Sequence, residues 1–332
     1  MKYVRHRALR FAAACVVVLT VAACGGRQSG AAARGGDSAG GGRLTVATGN
    51  TTGVYYQLGG SLAQLISDDI KGYRATATAT GASVQNVQGL VSGSYDVAFA
   101  LMDTAGDAVN GSGSFSQRQP VEALARLYPN YTQVLVRTDS GIASVADLRG
   151  RRVSTGSPGS GTEVIARRIL QAAGLDADKD VKAQRLGLPE TVDAMKDGTV
   201  DALFWSGGLP TGGITDLTTT LGDKVRFLDV SPQLGVLQKQ YGEVYRPGTV
   251  PASVYRQPAD VPTVAVPNLL LVKKGFDPEL AGRIVDLVLD HRAELERANA
   301  AAREIGTDTA AETGPVPLNP GARQALAARA GR

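Results

Sequence analysis

The chain has 332 residues and a formal net charge of +4, but four cationic residues and no acidic ones lie in residues 1–23. The remainder therefore carries no formal net charge, and nothing in it favours a nucleic-acid partner. Beyond residue 23 the only cysteine is Cys24 and the only histidine is His291. With one histidine and one cysteine, this part of the chain lacks the residues for Ser-His-Asp catalysis, for Cys-His catalysis and for His/Cys metal sites. We predict no enzyme, no cofactor and no metal.

Residues 1–23 have the organisation of an export signal. A basic head precedes an apolar run from Phe11 to Ala23, which is too short to span a bilayer comfortably. The run ends in Val-Ala-Ala-Cys, which resembles a bacterial lipobox and implies cleavage before Cys24 and lipidation of its sulfur. We expect a signal peptide over 1–23, then the lipidated Cys24 and a flexible Gly-rich tether over 24–43. An ordinary signal peptide with a chance cysteine is the alternative.

The sequence from Leu44 to Gly60, LTVATGNTTGVYYQLGG, predicts a strand, a turn of small residues and a helix that begins at Val54. Such a turn presents free backbone N–H groups and the positive end of the helix dipole to one small volume. That volume suits a carboxylate or phosphate, and Tyr55 and Tyr56 lie in the first helical turn. The alternative is a simple structural crossover.

A second unit of the same kind follows. A strand over Tyr73–Thr80 leads to a helix in which Ser83 is a predicted N-cap and Asn86 lies in the first turn. A buried strand then ends at Asp103, where open α/β sheets place their ligands. The alternatives to a role in ligand binding are structural: Ser83 only caps its helix, and Asp103 caps the next helix.

A third unit lies in the second half of the chain. Small residues from Gly156, including Ser157 and Ser160, lead into a helix near Thr162 without the lysine of a P-loop. A later strand ends at Trp205, which either walls a ligand site or fills the core. Further predictions are a surface helix at Ile142–Gly150, strands at Leu124–Val136, Val200–Trp205, Val225–Val230 and Pro267–Val272, a helix at Pro278–Leu295 and an irregular tail over 311–332.

About 290 residues follow the tether. Because this number exceeds what a single hydrophobic core usually accommodates, we expect two α/β lobes. The stretches LTVATGNTTGVYYQLGG, TATGASVQNVQGLVSGSYDVAFALMD, RVSTGSPGSGTE and DALFWSGGLP together resemble the TAXI family. These proteins are the substrate-binding components of tripartite ATP-independent periplasmic (TRAP) transporters. The resemblance runs from about Leu44 to Arg297 and implies a hinged, two-lobe, periplasmic-binding-protein-like (type II) fold. Lobe I is then 44–136 and 230–310, and lobe II is 137–229.

The resemblance also implies a ligand site between the lobes for a small carboxylate or a glutamate-like amino acid. One departure from the family pattern is Ala82, where a second glycine is more usual. The implied site residues are Thr51, Thr52, Gly53, Val54, Tyr55, Ser83, Asn86 and Asp103 from lobe I, and Ser157, Ser160, Thr162 and Trp205 from lobe II.

The expected protein is a monomeric, lipid-anchored, extracytoplasmic receptor that delivers its ligand to a TRAP permease. If Asp103 faces the ligand, it is a natural partner for an ammonium group. One alternative is a receptor for a sensor kinase or an ABC permease. Another is a carboxylate-dependent extracytoplasmic hydrolase, for which Asp103 has no obvious mate.

Overall fold

The computed structural model describes residues 41–331. A mixed β-sheet forms the centre of this part of the chain. The predicted signal peptide, the lipidation of Cys24 and most of the predicted tether lie outside the described residues. Within residues 41–331, no helix combines the length and the apolar character needed to cross a membrane.

The strands of the described part follow the order β2-β1-β3-β10-β4-β7-β5-β6, with β8 paired to β4 and β9 to β10. Strand β1 is parallel to β2 and β3, and β5 is parallel to β6 and β7, whereas β10 is antiparallel to β3 and β4. The strands are β1 Gly42–Ala47, β2 Tyr73–Thr78, β3 Val97–Leu101, β4 Val121–Arg137, β5 Arg152–Ser154, β6 Lys182–Gln184, β7 Ala202–Gly207, β8 Val225–Phe227, β9 Arg246–Val250 and β10 Val261–Lys273.

Two long central strands join the β1–β3 end of the sheet to the β5–β7 end. Strand β4 pairs with β10 along its first part and with β7 from Tyr131 to Val136. The helices are α1 Val54–Asp69, α2 Ser83–Ser92, α3 Met102–Asn110, α4 Gly161–Ala172, α5 Leu188–Lys196, α6 Gly212–Leu221, α7 Leu234–Tyr241, α8 Ala252–Tyr255, α9 Pro278–Asp290, α10 Arg292–Ala298 and α11 Pro320–Ala330.

Helix α1 shows how the apolar pattern produces the packing. Its buried side chains include Leu58, Leu62 and Ile66, which repeat every fourth residue and form one stripe against the sheet. They join a core with Phe99 of β3, whose strand is buried along its whole length. Because both faces of β3 are covered by helices, an uninterrupted apolar run is the expected sequence for this strand.

Three element predictions were wrong. The tail contains helix α11, which Asn319 caps by accepting a hydrogen bond from Gly321 N; its alanine-rich sequence lacks the long apolar stripe that would have revealed it. Residues 142–150 hold only a short 3₁₀ turn, Val145–Leu148. The predicted late helix is divided at His291 into α9 and α10.

Candidate functional site

Three helix N-termini meet at one point between the two ends of the sheet. Helices α1 and α2 follow β1 and β2, and α4 follows β5. The N-caps of α1 and α4 are Gly53 and Ser160, and α2 begins at Ser83. Each helix N-terminus carries a partial positive charge, and no side chain caps the first N–H groups of α1. This convergence therefore favours a negatively charged ligand group.

A narrow cavity lies at this point, with about 30 Å³ open to the centre of a water molecule. At about 10–15 Å³ for each water, that is room for about two or three water molecules or one small polar group. The strands β3, β4 and β7 supply the rest of its wall. The lining residues are Gly49, Asn50, Gly53, Val54, Tyr55, Ala82, Ser83, Leu101, Tyr128, Asn130, Ser160, Gly161, Thr162, Trp205, Ser206 and Gly207.

Glycines allow the helix ends to approach so closely. A methyl group at Gly161 would lie 2.6 Å from Ser83 Oγ and 2.5 Å from the Leu101 side chain. A methyl group at Gly53 would lie 3.3 Å from the Trp205 ring. The narrow cavity therefore depends on residues without side chains at two of the helix N-termini.

Two buried hydroxyl groups on the cavity wall have no hydrogen-bond partner among residues 41–331. They belong to Tyr128 in β4, which is 0% exposed, and to Ser206 in β7, which is 6% exposed. Buried polar side chains are nearly always hydrogen-bonded, since leaving one unpaired costs about 1–3 kcal/mol. These two hydroxyls are therefore candidate contacts for a ligand.

Three other polar side chains on the cavity wall already have hydrogen-bond partners within the protein. Tyr55 donates to Asn268 Oδ1, and Asn268 Nδ2 donates to Asn130 Oδ1 over 2.8 Å. Burial raises the pKa of Tyr55 and the pKa of Tyr128 well above the usual value for a phenol, so both side chains are neutral. The Trp205 Nε1–H donates to Thr211 Oγ1 over 3.0 Å.

No ionisable Asp, Glu, His, Lys or Arg side chain is among the described residues that line the cavity. The electrostatic character of the site therefore comes from backbone dipoles and hydroxyl groups. This arrangement can bind a small polar or anionic group by hydrogen bonds without an ion pair. It offers no nucleophile with an adjacent base of the kind that covalent catalysis requires.

Seven of the predicted site residues lie on the cavity wall. Six of them belong to the three strand–turn–helix units, and the seventh, Trp205, lies in β7. They are Gly53, Val54, Tyr55, Ser83, Ser160, Thr162 and Trp205.

Ser83 lies there but does not cap α2, contrary to the N-cap prediction. The N-cap position belongs to Ala82, and Ser83 Oγ instead accepts from Leu101 N over 3.1 Å. The N–H groups of Val84 and Gln85 donate to Gly159 O. A backbone carbonyl from the other end of the sheet thus replaces the expected side-chain cap.

Four other predicted residues lie close to the cavity without lining it. Thr51 and Thr52 line a separate depression beside α5 and α6. Asn86 is fully buried, and its Nδ2 donates to the carbonyls of Thr48 and Phe99. Ser157 Oγ accepts from Asn50 Nδ2 over 3.1 Å.

Asp103 also lies outside the cavity, in the first turn of α3. Its carboxylate accepts hydrogen bonds from Thr104 N at 2.6 Å and Tyr245 Oη at 2.5 Å, and it forms an ion pair with Arg168. The side chain borders a different pocket beside α3 and α7. Its partners within the described residues are thus all protein groups, and none of them belongs to the cavity wall.

The sequence interpretation missed several wall residues, notably Asn50, Tyr128, Asn130 and Ser206. Asn50 lies in the Gly-Asn-Thr-Thr-Gly turn before α1, so the sequence pattern could have identified it as a site residue. Tyr128 and Asn130 lie in the middle of β4, and no local pattern distinguishes a strand residue beside a cavity from one in the core. They line the site only because β10 and β7 flank β4 at this point.

The fold and the position of the cavity together indicate the fold class of this protein. This is an α/β fold of the periplasmic-binding-protein type, with the site between the two ends of a mixed sheet. A model of the NMT1-like family matches residues 46–327, and the chain belongs to this family. The match begins within β1 and covers the rest of the three strand–turn–helix units described above.

Solved structures share the fold at low sequence identity. A binding protein component of an ABC phosphonate transporter from Pseudomonas aeruginosa is 14% identical, with 80% of each chain covered and a TM-score of 0.53. A protein from Bordetella bronchiseptica RB50 is 18% identical, with 86% of this chain and 89% of that chain covered and a TM-score of 0.52. A Xanthomonas citri protein bound to ATP is 17% identical over 86% and 94%, with a TM-score of 0.50.

Proposed function

We propose that this protein is an extracytoplasmic solute-binding lipoprotein that captures a small carboxylate or amino acid and delivers it to a membrane permease of the TRAP type. The observation that carries the proposal is the convergence of the α1, α2 and α4 N-termini on a cavity whose described wall contains no Asp, Glu, His, Lys or Arg. Such a site binds a small anion but holds no catalytic pair. The sequence resemblance to the TAXI family supports the TRAP assignment.

Ligand capture is proposed to occur by closure of two lobes. Lobe I comprises residues 44–136 and 230–310, and lobe II comprises 137–229. Hydrogen bonds already connect the two segments beside the cavity, as between Gly159 O and the N–H groups of Val84 and Gln85. In this proposal the lobes separate to admit the ligand by the hinge motion usual in binding proteins, about the two places where the chain crosses between them, next to Val136 and Val230.

A thermal-shift screen tests the receptor proposal. The full chain, purified in a mild nonionic detergent, is screened against amino acids and small carboxylates. A ligand that binds only the folded state adds about 2.7 kcal/mol of stability at a hundredfold excess over Kd and raises Tm. If no compound in a broad panel of solutes raises Tm, and no solute co-purifies with the protein, the receptor function is refuted.

Delivery to an ABC permease is the second candidate, because a fold neighbour is described as a component of an ABC phosphonate transporter. Uptake of the identified ligand into cells separates the two candidates. TRAP transport is ATP-independent, so uptake should persist when ATP is depleted and the ion gradient is maintained. Uptake that stops with ATP depletion under that condition assigns the protein to an ABC permease.

A further inference from the structure

The unpaired hydroxyls of Tyr128 and Ser206 are the strongest chemical signal in the cavity. Both side chains are more than nine-tenths buried, and neither hydroxyl has a partner within the described chain. A hydroxyl in that position destabilises the folded protein unless another group hydrogen-bonds to it. The two groups therefore indicate where a ligand atom binds, independently of the helix N-termini.

Other hydroxyls at the cavity have a hydrogen to donate. Ser160 Oγ accepts from Glu163 N over 3.0 Å, and Thr162 Oγ1 accepts from Ser206 N over 3.2 Å. Because each oxygen is the acceptor in that bond, its O–H remains a donor. The wall thus contains hydroxyl donors beside the positive ends of α1 and α4, which together match a carboxylate.

The same wall is poorly suited to an ammonium group. No Asp or Glu is among the described lining residues, and the acid predicted for the site, Asp103, is bound to Arg168 and Tyr245. Moving an ammonium from water into this site would remove its hydration without supplying an anionic partner. The absence of a cationic wall residue equally disfavours a second negative charge on the ligand.

We propose that the ligand is a small monocarboxylate without an ammonium group, and that the hydroxyls of Tyr128 and Ser206 are hydrogen-bond donors to it. This inference rests on the proposed receptor function and narrows its ligand class from carboxylates and amino acids to singly charged carboxylates. The narrowness of the cavity, which in this conformation has room for only a few water molecules, favours a short carbon chain.

Isothermal titration of the full chain in detergent tests the ligand class with matched pairs. The probes are pyruvate against L-alanine, 2-oxoisovalerate against L-valine, and propionate and isovalerate without a second polar group. L-Glutamate is included because the broader proposal allows it. We expect at least one ammonium-free acid to bind, and its amino-acid counterpart to bind at least 100-fold more weakly.

Two variants test the hydroxyl contacts. Tyr128→Phe and Ser206→Ala should each weaken binding of that acid about 10- to 100-fold, the range for a hydrogen bond to a charged group. Neither variant should lower the Tm of the ligand-free protein, since each removes an unpaired buried hydroxyl. A purely structural role would instead lower Tm and leave affinity unchanged.

Two control variants are matched to these changes. Thr132→Val removes another unpaired buried hydroxyl in β4 that does not line the cavity, and Tyr56→Phe removes an exposed hydroxyl from α1. Both should leave affinity unchanged.

The possible failures are distinguishable. If L-alanine or L-valine binds as tightly as its ammonium-free counterpart, or L-glutamate binds as tightly as the best of the acids, the inference is refuted and the receptor function stands. If both hydroxyl variants bind the acid normally, the contact assignment is refuted. If no carboxylate binds but another solute raises Tm, the ligand class is wrong and a receptor remains. If nothing in a broad solute panel binds, both proposals fall.

Discussion

The guanidinium of Arg168 in α4 lies 3.2 Å from the carboxylate of Asp103 in α3, and these side chains are only 8% and 0% exposed. Arg168 also binds Asp107 over 2.5 Å, and its guanidinium lies 3.9 Å from the centre of the Tyr241 ring. Because α3 follows β3 and α4 follows β5, the ion pair connects the two ends of the sheet. The acid that the sequence offered for a ligand thus connects two helices instead.

Substituting Arg168 with Met should therefore be strongly destabilising. The variant leaves the buried Asp103 and the partly buried Asp107 without a cation, and breaking a buried pair in this way costs about 3–5 kcal/mol. Urea denaturation followed by circular dichroism measures the change. Arg303→Met is the control, because its ion pair with Glu296 is exposed and should contribute less than about 1 kcal/mol. A loss below about 1 kcal/mol for Arg168→Met would contradict the assignment.

Asp201 should make stability depend on pH. Hydrogen bonds from Arg152 hold the pKa of Asp201 below its usual value. Because the folded-state pKa is lower than the unfolded-state value of about 3.9, the stabilisation is complete above that value and is lost as pH falls through the folded-state pKa.

Asp201→Asn should lower Tm at pH 7 by about 1–2 °C, the change that about 1 kcal/mol produces in a chain of this size. The Tm difference between wild type and variant should shrink as pH falls from 5 to 2. Thermal unfolding at each pH measures both curves. A Tm difference that stays constant over this range would exclude a titrating contribution from Asp201.

Gly161→Ala tests the close approach of α4 to the cavity wall. The added methyl group would meet Ser83 and Leu101, so α4 or β3 must shift, which costs about 1–3 kcal/mol. Gly60→Ala is the matched control. No atom lies within 4 Å of a methyl group there, and alanine favours the α1 helix by about 0.5–1 kcal/mol. Opposite changes in Tm are expected, and equal changes would refute the steric argument.

Asn319→Ala tests the helix that the sequence did not reveal. Asn319 is fully buried; its Oδ1 accepts from Gly321 N, and its Nδ2 donates to Glu122 over 3.0 Å. Loss of the cap and of a buried partner should cost about 1–3 kcal/mol in urea denaturation. The control Gln324→Ala changes an exposed residue of α11 and should be neutral. A neutral Asn319→Ala would show that α11 does not depend on this cap.

The strand–turn–helix units were predictable because local patterns determine them. Alternation in β1, the apolar run of β3 and the stripe on α1 all correspond to observed elements, and the small-residue turns correctly indicated helix starts at α1 and α4. The helix α11 and the wall residues Tyr128 and Ser206 depend on contacts between distant segments. Local periodicity carries no signal for such contacts, which explains why the first was mispredicted and the others were missed.

Asn50 offers a final test, because its side chain joins the turn after β1 to the β5–β7 end of the sheet. Its Oδ1 accepts from Leu188 N over 2.5 Å, and its Nδ2 donates to Ser157 Oγ. Asn50→Ala removes the acceptor of the first amide of α5, so hydrogen exchange of the Leu188 amide should accelerate at least about tenfold, the effect of 1.4 kcal/mol.

Ser157→Ala is the control for this measurement, because it removes the second contact of Asn50 and leaves the acceptor of Leu188 N in place. Exchange of the Leu188 amide should therefore remain slow in Ser157→Ala. Amide-resolved hydrogen exchange in both variants tests whether Asn50 protects the Leu188 amide. If the Leu188 amide remains equally protected in Asn50→Ala, this side chain does not hold α5 against the turn. The backbone bonds at Gly159 and the Arg168–Asp103 pair are among the contacts that would still join the two sides of the cavity.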